Sequence, residues 1–81
     1  MFSIGDKVKF LSSPADVNKS VGLIGTITAV LPTVVNFKTG EVRVAYGTMI
    51  SPGPNGQQCY GLAAREQDIE LITKMEKVNV L

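Results

Sequence analysis

A chain of 81 residues is long enough for one hydrophobic core and too short for two, and its 44% apolar content can fill that core. Eight basic and seven acidic residues leave a formal charge of +1, so no strong field points to a polyanion or an anionic membrane. The absence of histidine removes the usual general base near neutral pH and, with it, Ser-His and Cys-His nucleophile activation.

Taken in chain order, Lys7 to Leu11 alternates apolar with polar residues and predicts a first strand, with Val8 and Phe10 on one face and Lys7 and Lys9 on the other. Ser12 to Ser20, with Pro14, Asp16 and Asn18, has loop composition and enough length to fold back over a sheet edge. Gly25 to Leu31 predicts a second strand with Ile27, Ala29 and Leu31 on one face, ended or bent at Pro32. Thr33 to Lys38 and Glu41 to Tyr46 form a hairpin about Thr39-Gly40, with Val42, Val44 and Tyr46 sharing a face.

Ser51 to Gln58, with two prolines and two glycines, reads as a surface loop. Cys59 to Ala64 supplies another short strand, Arg65 to Asp68 a polar 3₁₀ turn, and Ile69 to Ile72 a closing strand. The expected core is Val8, Phe10, Ile27, Ala29, Val42, Val44, Leu62, Ile69 and Leu71. The domain expected at residues 1–72 is followed by a tail, 73–81, in which Val78, Val80 and Leu81 suggest an edge strand and a homodimer.

The order Gly5-Asp6-Lys7-Val8, loop, Gly22 to Val30, hairpin, polar turn and Asp68-Ile69-Glu70-Leu71-Ile72 resembles the SH3-like small β-barrels. That resemblance implies an all-β, five-stranded barrel with a 3₁₀ turn before the last strand. Gly22-Leu23-Ile24-Gly25-Thr26-Ile27-Thr28-Ala29-Val30 is similar to the second half of the KOW motif of ribosomal proteins and transcription elongation factors, which implies a module that binds RNA, DNA or protein. The chain is also similar to the accessory barrels of photosystem I and ferredoxin-thioredoxin reductase, docking subunits without catalytic groups. The plasmid-encoded dihydrofolate reductase, a small oligomeric enzyme, shares the architecture, but its Val-Gln-Ile-Tyr stretch has no counterpart here.

The chemistry-bearing residues are few. Glu66, Asp68 and Glu70 form the densest acidic group, and their spacing suits solvation of the last turn and strand better than metal binding. Gly22 to Gly25 lacks the Lys-Ser/Thr and the helix that follow a phosphate-cradling loop. Cys59 excludes an intrachain disulfide, points to a reducing, cytoplasmic setting, and is expected as a buried, inert thiol. No apolar run reaches the length of a signal peptide or a membrane span.

What remains is surface. Lys7, Lys9 and Arg43 fall on polar strand faces and can form a basic strip for nucleic acid; the alternative is ordinary strand solubility. Tyr46, Met49, Ile50 and Tyr60 flank the Pro/Gly loop and can grip a peptide or protein; the alternative is that the tyrosines cap an open end of the barrel. The expectation is a non-catalytic protein-binding or docking module, with no catalytic residue, metal or cofactor, and with nucleic-acid binding as its rival.

Overall fold

The computed structural model describes residues 1–73 and contains five β-strands, three single 3₁₀ turns and no α-helix among them. The expected tail at Val78, Val80 and Leu81 lies outside the described residues. Strands β1 (Lys7–Phe10), β2 (Ile24–Asn36), β3 (Glu41–Ile50), β4 (Tyr60–Arg65) and β5 (Ile69–Thr73) form one antiparallel sheet in the order β4-β3-β2-β1-β5. Its edges, β4 and β5, do not pair, so the sheet is open rather than a hydrogen-bonded cylinder.

The inner face of the sheet holds the core. Val8, Phe10, Ile27, Tyr46, Ile50, Ala64 and Ile69 are buried there, with Phe2, Leu23, Val30, Val44, Tyr60 and Leu62 packed against them. The remaining expected core positions sit at the margins. Ala29 is only half-buried, Leu71 lies on the edge strand and is exposed, and Val42 lies beyond the end of the core and is exposed.

One extra residue in β2 breaks the simple alternation of the sequence. Ile27 pairs with Thr48 and Ala29 with Gly47, so Thr28 is a bulge and the two strands slip by one residue. Because side chains alternate with period 2, that slip exchanges the faces of everything beyond it. Val30 therefore packs on the core opposite Tyr46, while Leu31, expected inside with Ile27, is half exposed opposite Ala45. Pro32 does not end the strand. β1 pairs with β2 only from Ile24 to Thr26, so among the described residues no strand flanks β2 at Pro32 on the side away from β3, and a missing donor on that side breaks no ladder bond.

β2 and β3 run on together to Asn36 and Glu41, well past the last rungs that β1 and β4 contribute. Asn36 accepts the backbone N–H of Gly40 on its carbonyl at 2.8 Å and those of Lys38 and Thr39 on Oδ1 at 3.0 and 3.3 Å. Gly40 closes the reversal at φ 73°, a conformation that costs a side chain and suits glycine. The product is a two-stranded arm that gives the molecule a long axis of 52 Å against a thickness of 17 Å.

At the opposite end the Ser12–Ser20 loop folds back onto the sheet, as its length allows, and its 3₁₀ turn Pro14–Asp16 leans on β4. Gly25 sits where Phe10 and Ile50 meet. A Cβ there would lie 3.2 Å from Phe10 Cε1 and from Ile50 Cγ1, so this glycine is a packing residue rather than part of a phosphate loop.

Candidate docking surface

The titratable side chains of the body hold the fold together. Asp68, expected in solvent, is buried: it takes two hydrogen bonds from the Arg65 guanidinium at 2.9 Å, one from the Arg65 N–H at 3.0 Å and one from the Ser12 hydroxyl at 2.6 Å. The Arg65 bonds, against the cost of burial, bring its pKa down to about 2. Asp16 accepts from the Ser20 hydroxyl at 2.6 Å and from the Tyr60 hydroxyl at 3.0 Å, tying the folded-back loop to β4. Partial desolvation pulls that carboxyl upward, but hydrogen bonds from Ser20, Ser13 and Tyr60 outweigh it and hold its pKa below the ordinary value. The bond to Asp16 in turn raises the Tyr60 phenol.

Tyr46 is fully buried, donates to Glu66 Oε1 at 3.1 Å, accepts the Phe2 N–H at 3.2 Å and meets the Phe2 ring edge-on at 5.3 Å. Burial pushes its phenol up, and the Glu66 carboxylate adds to that.

The expected peptide-gripping group is thus divided. Tyr46 and Ile50 have no exposed surface and belong to the core, Tyr60 is half-buried and bonded to Asp16, and Met49 alone points outward with 41% exposure. Tyr46 lies within the core and Tyr60 against the folded-back loop. The basic residues do not form a strip either. Lys7 stands in the Thr26–Met49 row and Arg43 six residues further along β3, about 20 Å away at the usual strand rise. Arg43 is paired with Glu41 at 3.3 Å, Lys7 donates to Thr26 Oγ1 at 2.8 Å, and Lys9 stands opposite Glu70. Cys59 is exposed, not buried, because it lies in the loop ahead of β4 rather than within the strand. Among the described residues no three of Asp, Glu, Cys and His gather as a metal site.

What the sequence reading missed is the arm. Every residue from Leu31 to Arg43 is exposed. Val30, Pro32 and Val34 on β2 and Val42, Val44 and Tyr46 on β3 share one face by register, so the inner face of the sheet continues outward beyond the core with no charged side chain on it. Leu31, Val34, Val35 and Val42 are 44–54% exposed and Phe37, at the tip, is 90% exposed. The signal was present as a run of apolar and β-branched residues through Pro32, which the proline made easy to divide.

A second feature lies on the outer face of the body. Ile24, Thr26, Met49 and Pro52, with Leu23 beneath and Lys7 at one side, line a groove of about 690 Å³. No family model, curated protein or solved structure matches this chain. No helix among the described residues is long and apolar enough to cross a membrane.

Proposed function

We propose that this chain is a non-catalytic docking module of the SH3-like type, and that the β2–β3 arm is its principal contact surface. The arm carries the reading. A two-stranded ribbon in water is marginal, and this one extends past its neighbours with five large apolar side chains exposed. Such a surface gains free energy when a partner covers it, roughly 25 cal/mol for each Å² of apolar area removed from water. The body supports the same reading, since Asp16, Asp68, Tyr46 and Tyr60 are each engaged in bonds that close a loop or a turn. The SH3-like assignment rests on the five-strand antiparallel order and the 3₁₀ turn Glu66–Asp68 leading directly into β5. Nucleic acid is the weaker reading, because Arg43 stands apart from Lys7 and Lys9.

The test is affinity capture from native extract, with and without nuclease, using the wild type and a variant carrying Leu31→Thr, Val34→Thr and Val42→Thr. The same proteins should be retained with and without nuclease and lost with the variant. Retention that ignores the variant, or that nuclease abolishes, contradicts the proposal.

A further inference from the structure

Among the described residues, Phe37 and the outer-face groove are the two most conspicuous uncovered features, and they are complementary. Phe37 crowns the arm, 90% exposed, beside a reversal held by Asn36 and Gly40. The groove, walled by Leu23, Ile24, Met49 and Pro52, falls within the roughly 300–1,000 Å³ that ligand pockets span and has ample room for a phenyl ring. Aromatic side chains, Phe among them, are enriched at protein interfaces, and the residues that fill well-packed pockets carry most of the binding energy.

The two features cannot meet within one chain. The groove lies at the Thr26–Met49 row and the arm ends at the Asn36–Glu41 row, ten residues further along β2, so about 30 Å of extended ribbon separates them. The arm points away from its own groove.

We infer that the arm docks on a second copy of this chain, with Phe37 of one molecule seated in the groove between Ile24 and Met49 of the next. The inference rests on the docking reading above and names the partner for the same surface. Two copies that exchange arms reciprocally form an isologous two-fold dimer, whereas the same contact made head to tail is heterologous and extends as a series. The contact uses both open features at once. It also leaves Arg43 and Glu41, paired with each other on the arm, at the rim of the contact, where charges cost little. A formal charge of +1 adds little repulsion between copies.

The experiment is sedimentation equilibrium of the full chain over about 1–200 µM, a range that reports micromolar dissociation constants. It uses an arm variant, Phe37→Asp, and a groove variant, Ile24→Lys, with Met49→Lys as a second groove variant; each is first checked for an unchanged cooperative melt. The wild type should exceed the mass of one chain as concentration rises, and each variant alone should associate at least about tenfold more weakly. An equimolar mixture of arm and groove variants should recover a 1:1 pair, because one intact arm and one intact groove remain between them. A wild type that stays monomeric throughout overturns the inference, and so does a mixture that associates no better than its components. In the monomeric case the capture experiment still decides the docking proposal: arm-dependent retention keeps it with a different partner, and arm-independent retention removes both.

Discussion

Ile27 shows how little room the core leaves. It is 1% exposed and shares the inner face with Val8, Phe10 and Ile50. Ile27→Asp places an unpaired carboxylate there and should cost more than about 4 kcal/mol, enough to unfold a domain of this size. Loss of the cooperative thermal melt checks it, and a melt equal to wild type would show the register to be wrong. Asp68 makes the corresponding point for polar burial. Its folded pKa, about 2, lies below the ordinary 3.8, so the stability it contributes is present above pH 4 and is lost as pH falls toward 2. Solvent around the half-exposed Arg65 screens part of the full value and leaves about 1–2 kcal/mol. Asp68→Asn should lower the melting temperature at pH 7 and flatten its decline between pH 4 and pH 2. An unaltered acid profile would assign the acid sensitivity to other carboxylates.

At the scale of elements, the bulge at Thr28 decides which residues become core and which become arm. Without Thr28, Ile27–Thr48 and Ala29–Gly47 would be consecutive rungs and plain alternation would carry Ile27 and Val30 to the same face, which is the placement the bulge achieves with one residue more. Val30→Asp, which sets a carboxylate against the core, should cost more than about 2 kcal/mol, measured by urea unfolding, whereas Phe37→Ser at the exposed tip should change stability by less than about 0.5 kcal/mol. Equal effects of the two would contradict the division between body and arm. The strands themselves were legible in the sequence, since Val8 and Phe10, or Val44 and Tyr46, alternate as a half-buried sheet requires. The bulge was not, because one added residue shifts the phase without altering the composition on either side. The arm was hidden for a related reason. Val42 and Val34 look like core residues, and only the lengths of β1 and β4 reveal that neither strand reaches them. The burial of Tyr46 and Ile50 is hidden in the sequence because alternation names a face without saying which one is covered.

For the whole molecule, a compact inner face closed by the Ser12–Ser20 loop carries the stability, and a protruding ribbon carries the contact. Deleting the arm separates the two roles. Thr33 and Arg43 are opposite each other in the ladder, so residues 34–42 can be replaced by an Asn-Gly turn, the two-residue reversal that suits a pair of twisted strands. The shortened protein should melt cooperatively within about 4 °C of the wild type, a shift of about 1 kcal/mol or less. It should also lose both self-association in the ultracentrifuge and capture from extract. An unfolded body, or association that survives the deletion, would contradict the account.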